Sequence, residues 1–327
     1  MTPILSAELV NGPFGDPTLY LDFRFERRAL LFDLGDLAAL APRKILRVSD
    51  VFVSHTHMDH FAGFDRLLRL CLGRETAVRL YGPPGFIGRV EHKLAGYSWN
   101  LVQNYPTDFT LLAHELDGEE LRVARFRCHR RFGREPLPAR SAPRGLLLDD
   151  PAFRVRAAAL DHDIPCLGFA LEEKVHVNVW KNRLHELGLA PGPWLAELKR
   201  AVSEGAPDDT PIHADGRALP LGELKAKVLR LVPGQKLCYV TDVVYSEDNA
   251  RRIAALGLDA DLLFIECVFL DEDAEHAARK FHLTARQAGL LARAAHARQV
   301  VPFHFSPRYA EREAELRVEL EAARTGG

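Results

Sequence analysis

The stretch VSHTHMDHFAG, Val53 to Gly63, places three histidines and an aspartate within six positions, directly after an apolar run. The four candidate donors are His55, His57, Asp59 and His60. Imidazole nitrogens and carboxylate oxygens are the donors that zinc prefers. If 51–54 is a buried strand, the first two donors leave its end two positions apart and point the same way, while the last two lie in the turn into the next helix. The stretch therefore predicts a metal site at the end of a strand.

Further candidate donors follow three later strand-like runs. RVRAAALDHDIP contains His162, KLCYVTD ends in Asp242, and QVVPFHF contains His304. Strand ends at one edge of a sheet are where side chains of a rigid scaffold meet. The set suits two zinc ions: His55, His57 and His162 on one, Asp59, His60 and His304 on the other, and Asp242 as the bridge. Two metal ions about 3.5–4 Å apart activate a shared water and polarise a phosphoryl or acyl oxygen, so hydrolysis is the predicted chemistry.

Composition sets the class of protein. The 327 residues are 47% hydrophobic, enough for one large domain or two ordinary ones. The sequence has neither the run of about 18 apolar residues that a membrane helix needs nor a signal-peptide start, so the cytosol is the expected location. The five cysteines form no C-x-x-C pair, and their odd number predicts reduced, buried thiols. A net charge of −2 gives no global attraction to nucleic acid.

One segment is locally basic. Between Arg122 and Arg144, eight arginines accompany a single acid, Glu135. A solvated basic loop and an RNA-facing patch both fit this composition.

Strand-like runs alternate with stretches of helical period, such as FDRLLRLCL and HLTARQAGLLARAAHA, which predicts a layered α/β fold. The first strands are predicted to be hairpin-like neighbours. Residues 172–234 have few strand signals and many breakers, and they predict an insertion that contains short helices such as 193–203.

The motif HTHMDH, followed by His162, Asp242 and His304, resembles the metallo-β-lactamase superfamily. The resemblance implies a four-layer αββα sandwich with the metals at one edge of its two sheets. Residues 1–171 and 235–327 would form this core, and 172–234 would be an inserted arm. Members of the superfamily hydrolyse lactams, thioesters and nucleic acids, so narrower features must identify the substrate.

The segment FHFSPRY, Phe303 to Tyr309, looks like the His-Phe-Ser-Ser-Arg-Tyr ending of the ribonuclease Z family. IECVFLDEDAEHAARKFHLTARQAGLLA, LYGPPG and LGLAPGPWLAELK are also similar to segments of that family, so the likeness runs from about Val51 to Tyr309. It implies a zinc-dependent endoribonuclease that removes 3′ trailers from precursor tRNA by attack of a metal-activated hydroxide on the phosphodiester.

The resemblance also implies roles for individual residues. Asp59 would bind metal and help to activate the attacking water, and Glu266 with His282 would protonate the leaving 3′ oxygen. A carboxylate beside an imidazole favours the protonated ring, which suits a general acid. The implied substrate contacts are Ser306, Arg308 and Tyr309. The implied cofactors are two zinc ions per subunit, although manganese or iron fits similar donors, and the implied assembly is a homodimer in which the arm of one subunit serves the other.

The chain departs from the family pattern in three places. Its start, AELVNGPFGDPTLYLDF, lacks the opening Leu-Gly-Thr turn; VTDV replaces the usual Gly-Asp-Thr around Asp242; and Val268 stands where threonine is usual. These changes leave two alternatives open: a phosphodiesterase acting on small or single-stranded nucleotides, and an RNA-binding protein without catalysis.

Overall fold

The computed structural model describes residues 5–24, 26–174, 176–203, 205–232 and 234–326. The chain divides into two compact units. The larger unit contains the residues up to 149, residues 155–171 and the residues from 236 onward, and the smaller unit contains 150–154 and 172–235.

The described residues form strands and α-helices with the following bounds. The strands are β1 (Leu5–Leu9), β2 (Leu19–Phe23), β3 (Ala29–Phe32), β4 (Val48–Phe52), β5 (Ala77–Gly82), β6 (Thr110–Asp117), β7 (Glu120–Arg127), β8 (Arg134–Ser141), β9 (Leu146–Asp149), β10 (Phe153–Asp161), β11 (Pro165–Glu173), β12 (His176–Val179), β13 (Pro211–Ala214), β14 (Arg217–Pro220), β15 (Leu229–Val232), β16 (Lys236–Val240), β17 (Leu262–Glu266) and β18 (Gln299–Phe303). The α-helices are α1 (Pro42–Ile45), α2 (Met58–Phe61), α3 (Phe64–Cys71), α4 (Phe86–Ala95), α5 (Lys181–Glu186), α6 (Trp194–Ser203), α7 (Leu221–Val228), α8 (Glu247–Gly257), α9 (Ala274–Arg279), α10 (Ala285–Ala294) and α11 (Glu313–Thr325).

The first sheet contains β1 to β8 in sequence order. β1, β2 and β3 are antiparallel neighbours, as predicted for the first strands, and β3 to β6 are parallel. The predicted strand at 51–54 is wrong at both ends, because β4 spans Val48–Phe52. One ladder bond continues beyond it, from the Val53 amide to the Tyr81 carbonyl at 2.8 Å, and His55 lies in the loop that follows.

The second sheet has the order β18-β17-β16-β11-β10-β9. β16, β17 and β18 are parallel, because α8 connects the first two and α9 and α10 connect the last two. Their carboxyl ends therefore open at the same edge of the sheet, and Asp242, Glu266 and His304 lie there.

Aromatic rings fill the space between the two sheets. The ring centroid of Phe32 on β3 lies 5.5 Å from that of Phe169 on β11 and 5.6 Å from that of Tyr239 on β16. α3 and α4 pack on the outer face of the first sheet, and α8, α10 and α11 pack on the second. Because both faces are covered, β3 is buried at every position, which explains its continuous apolar sequence. The layers follow the order helix, sheet, sheet, helix.

The smaller unit has its own core. β12 pairs with β15, and β13 forms a hairpin with β14 through Asp215 and Gly216, whose φ angles of 49° and 76° suit a two-residue hairpin turn. α6 spans Trp194–Ser203, close to the predicted helix at 193–203. The expectation of few strands is wrong, because the described part of this unit contains two ribbons of four-residue strands. Its buried side chains include Leu184, Leu189, Trp194, Leu198, Ile212, Leu221, Leu224 and Val228.

The five cysteines are free and buried, as predicted. Among the described residues, no helix has the length and apolar character needed to cross a membrane.

Candidate metal and catalytic centre

The seven side chains predicted as metal ligands meet at one edge of the larger unit. They are His55 in the loop after β4, His57, Asp59 and His60 at or within α2, His162 after β10, Asp242 after β16, and His304 after β18. Asp242 and His304 have φ angles of 40° and 59°, so the chain turns sharply as it leaves each strand. This left-handed conformation is uncommon for residues other than glycine and is concentrated at functional positions.

One group of donors consists of His55, His57, His162 and Asp242, whose ligand atoms all lie within 4.8 Å of one another. Asp242 Oδ2 lies 3.6 Å from His55 Nε2 and 3.5 Å from His162 Nε2. Two atoms bound to one tetrahedral zinc at about 2.0–2.1 Å are about 3.3 Å apart, so the group has nearly the spacing of a coordination shell. His55 Nε2 is buried without a hydrogen bond, a state that a cation would satisfy.

The second group consists of Asp59, His60 and His304. Asp59 Oδ2 lies 3.5 Å from His60 Nε2 and 3.3 Å from His304 Nε2. Asp242 reaches this group as well, with Oδ2 3.3 Å from His60 Nε2 and Oδ1 2.9 Å from His304 Nδ1. His60 Nε2 is also buried without a hydrogen bond. Both groups can hold a metal ion, and Asp242 lies in the position that a bridging ligand requires.

The pKa values of these groups depart from their ordinary values because the groups are buried together. Burial, reinforced by His60, lowers the pKa of His55 to about 2, so its ring is neutral and its lone pair is available. Burial opposes charge on Asp59 and Asp242, but His304 and His60 outweigh it and lower both carboxyl pKa values. Burial likewise opposes charge on His60 and His304, but Asp242 outweighs it and raises both pKa values. The centre therefore favours positive charge, which a metal ion can supply in place of protons.

Asp33, directly after β3, orients the ring of His60, and the sequence analysis missed it. Its buried carboxylate accepts hydrogen bonds from His60 Nδ1 at 2.9 Å, the Ser54 amide at 2.6 Å and the Tyr239 hydroxyl at 2.9 Å. With Nδ1 as the donor, His60 presents Nε2 to the centre. The only signal in the sequence was an aspartate after the apolar run ALLF, which is also an ordinary turn pattern.

Two more hydrogen bonds orient candidate ligand side chains. His162 Nδ1 donates to the Phe281 carbonyl at 2.8 Å, and Thr241 Oγ1 donates to Asp242 Oδ1 at 2.8 Å. The hydroxyl of Thr241, before the aspartate, thus supports Asp242 although the family's threonine after it is absent.

Asp33→Asn is expected to weaken metal binding by about 10- to 100-fold, because the orientation of His60 depends on this carboxylate. Asparagine keeps the size and tolerates the φ of 60° at this position. Competition with a chromogenic chelator measures the affinity. Tyr239→Phe removes only a neutral donor from the same carboxylate and should have a much smaller effect. Wild-type affinity in Asp33→Asn would contradict the role assigned to Asp33.

Glu266 and His282 lie together beside the metal donors. His282 Nδ1 donates to Glu266 Oε2 at 2.9 Å, and Glu266 Oε1 accepts the Val243 amide at 2.6 Å. A capping box formed by Thr284 and Gln287 starts α10 two residues after His282 and fixes the loop that carries it. Burial lowers the pKa of His282, but Glu266 outweighs burial and raises it. A ring of this kind keeps its proton near neutral pH and can donate it.

The three predicted substrate contacts lie after His304 and differ in exposure. The Arg308 side chain is 45% exposed, and the Ser306 side chain is half-buried. Tyr309 is 2% exposed, and its hydroxyl donates to Asp273. This placement argues against direct contact between Tyr309 and a substrate and suits a supporting role instead.

The arginine-rich segment is not a loop, because most of it forms β7 and β8. Four of its arginines are paired with acids: Arg122 with Glu115, Asp117 and Glu120, Arg125 with Glu135, Arg127 with Asp108, and Arg134 with Glu91. Four others are exposed and form no ion pair with the described residues: Arg130, Arg131, Arg140 and Arg144. An RNA-facing role for this segment stays a prediction.

Comparisons with known proteins agree with the fold. Residues 212–305 match a family model described as a beta-lactamase superfamily domain. The solved human tRNase Z, short form, has a TM-score of 0.53 at 20% identity over 93% of this chain and 91% of its own. The metallo-beta-lactamase fold protein YhfI from Bacillus subtilis has a TM-score of 0.55 at 14% identity over 97% of this chain and 92% of its own. The metallo-β-lactamase fold predicted from the sequence is therefore confirmed.

Relatives that are similar in sequence indicate one family within this superfamily. Ribonuclease Z of Deinococcus radiodurans is 35% identical in an alignment of 325 positions that covers 98% of this chain and 95% of the relative. Ribonuclease Z of Rippkaea orientalis is 30% identical over 82% of this chain and 71% of the relative.

Proposed function

The chain belongs to the ribonuclease Z family, and on this premise we propose that it is a metal-dependent endoribonuclease that removes 3′ trailers from precursor tRNA. The observation that carries the proposal is the convergence of two groups of metal donors around Asp242, with the pair Glu266 and His282 at their border. A protein that only bound RNA would need neither feature.

In the proposed mechanism, the centre would hold two zinc ions, which would supply Lewis acidity to a water and to the phosphoryl oxygens. His55, His57 and His162 would hold one ion, and Asp59, His60 and His304 the other, with Asp242 between them. The Asp59 side chain is 40% exposed, whereas Asp242 is almost fully buried. Asp59 is therefore the carboxylate placed to accept a proton from the attacking water.

His282 would act on the leaving group. Its Nδ1 donates a hydrogen bond to Glu266, so Nε2 is the nitrogen that can give a proton to the departing 3′ oxygen. The Glu266 carboxylate holds the ring orientation and stabilises its charged form.

Glu266→Gln is expected to move the alkaline limb of the kcat profile to lower pH. Activity that needs protonated His282 falls as pH rises through its pKa, and Glu266 raises that pKa. Glutamine keeps the size and removes the charge, so the rate should fall more at pH 8.5 than at pH 6.5. Glu115→Gln is the matched control, because Glu115 is also buried and accepts a backbone amide, that of Ile87 at 3.1 Å. If the alkaline limb of the kcat profile of Glu266→Gln lay at the same pH as in the wild type, the role assigned to Glu266 would be contradicted.

We further propose that the smaller unit is the arm that grips the tRNA body. Trp180 is 42% exposed, and the guanidinium of Arg183 lies 4.3 Å from its ring centroid. Such a pair offers a stacking face together with a positive charge to RNA. A homodimer, in which the arm of one subunit serves the other, is part of the same proposal, and a monomer mass by light scattering would overturn it.

The function is tested by incubating zinc-loaded protein with a precursor tRNA that carries a 3′ trailer and mapping the product ends. A single cut next to the discriminator nucleotide is the expected result. Hydrolysis of a chromogenic phosphodiester without cleavage of the tRNA would instead favour a phosphodiesterase with a smaller substrate.

A further inference from the structure

Asp273 connects the core to an arginine at the surface of the catalytic edge. It lies at the start of α9, and its Oδ2 accepts hydrogen bonds from the Tyr309 hydroxyl and from Arg308 Nη1, the latter at 3.2 Å. Tyr309 is buried in the core cluster of the second sheet, whereas the Arg308 side chain is 45% exposed. The buried Tyr309 therefore restricts the carboxylate, and the carboxylate in turn restricts the exposed guanidinium of Arg308.

Two aromatic neighbours restrict the guanidinium further. Arg308 Cζ lies 5.3 Å from the ring centroid of Phe269, and Arg308 Nη2 lies 3.4 Å from His276 Nε2. The Phe269 ring in turn lies 6.2 Å from the ring of His282. Phe269 is thus a shared neighbour of Arg308 and His282, and the guanidinium has donors left over for another acceptor.

A guanidinium restricted in this way loses little freedom when it binds an anion, and its planar fork suits the oxygens of a phosphate. We propose that Asp273 is a positioning residue that presents Arg308 to a phosphate of the RNA substrate near the scissile bond. The inference rests on the proposed function, which supplies the polyanion.

A purely structural role for Asp273 makes a different prediction. If Asp273 only pinned the segment that leads to His282, its loss would lower kcat on precursor tRNA and leave the KM unchanged, because the general acid would be displaced. A positioning role acts through Arg308 instead, so it changes the KM for RNA and the dependence of binding on salt. A small phosphodiester without neighbouring phosphates should be unaffected.

The experiment compares Asp273→Asn, Arg308→Gln and the double variant, as zinc-loaded full-length proteins, on precursor tRNA and on a chromogenic phosphodiester. Glu272→Gln is the matched control, because Glu272 lies in the same turn but pairs with Arg312 at 2.7 Å. Asp273→Asn and Arg308→Gln should each raise the KM for RNA by about 10-fold, the scale of one hydrogen bond to a charged group, with kcat nearly unchanged. Each should reduce the slope of log affinity against log salt by about 0.7, and the double variant should lose no more than Arg308→Gln alone.

Four outcomes would overturn the inference: RNA kinetics of Asp273→Asn equal to those of Glu272→Gln, a loss of kcat on precursor tRNA with the KM unchanged, additive losses in the double variant, or tighter RNA binding by Asp273→Asn. If the wild-type protein neither binds nor cleaves precursor tRNA, the proposed function itself fails. If the wild type cleaves and Asp273→Asn behaves like Glu272→Gln, the inference alone fails.

Discussion

Asp242→Asn is expected to lower kcat/KM on precursor tRNA by about 10³-fold or more, which corresponds to about 4 kcal/mol of lost transition-state stabilisation. The carboxylate oxygens of Asp242 lie within 3.6 Å of four imidazoles, those of His55, His60, His162 and His304. These four imidazoles come from both donor groups. Without its charge, both donor groups would lose a neighbouring anionic oxygen, so the variant should also retain less metal after dialysis.

Metal content per chain and kcat/KM are measured on the same preparation. Asp163→Asn is the matched control, because Asp163 is exposed and also has a left-handed backbone, with a φ of 62° against 40° at Asp242. Asparagine tolerates this conformation, so neither substitution strains the chain. Full metal content with wild-type activity in Asp242→Asn would show that the Asp242 carboxylate is not needed for metal binding or catalysis.

The convergence of the candidate ligands could be predicted from the sequence because it follows a simple rule of sheet geometry. Asp242 and His304 follow buried runs of apolar residues, and such runs form parallel strands in a layered α/β fold; here they are β16 and β18, which flank β17. Their carboxyl ends open at one edge, so side chains that are 62 positions apart in sequence meet in space. The crowding of histidines around His57 then identifies the edge that carries the chemistry.

The supporting contacts leave a weaker signal. Asp33 is 27 positions from His60 and 206 positions from Tyr239, and nothing in its local sequence distinguishes it from a turn residue. The carbonyl of Phe281, which fixes His162, leaves no trace in the sequence, because every residue has a carbonyl. These contacts depend on the completed fold.

Short elements and ion pairs escaped prediction for physical reasons as well. Strands of four residues, such as β13, give only two positions of alternation, too few to separate from a loop. Composition showed the arginines of β7 and β8 but not their partners. Arg127, for example, pairs with Asp108, which lies 19 positions earlier, just before β6, so a segment that is basic in sequence is partly neutralised in space.

His282→Ala is expected to lower kcat on precursor tRNA by about 10²- to 10⁴-fold, the usual contribution of a positioned general acid. The loss arises because the departing 3′ oxygen is a poor leaving group unless it is protonated. A p-nitrophenyl phosphodiester releases a stable anion that needs no proton, so its hydrolysis should fall far less. Metal content should stay at the wild-type value, since the predicted metal sites do not include His282.

The alanine variant leaves Glu266 buried without its partner, which costs stability and complicates a loss of activity. His282→Gln supplies a second measurement, because the glutamine amide can still donate to Glu266 but cannot act as an acid. His296→Ala is the control for loss of an imidazole beside a carboxylate, because His296 is exposed and lies 3.5 Å from Asp259. A loss confined to the RNA substrate in both His282 variants would identify the acid. Equal losses on both substrates would mean that His282 supports the geometry of the centre, and the proton for the leaving oxygen would have to come from another group.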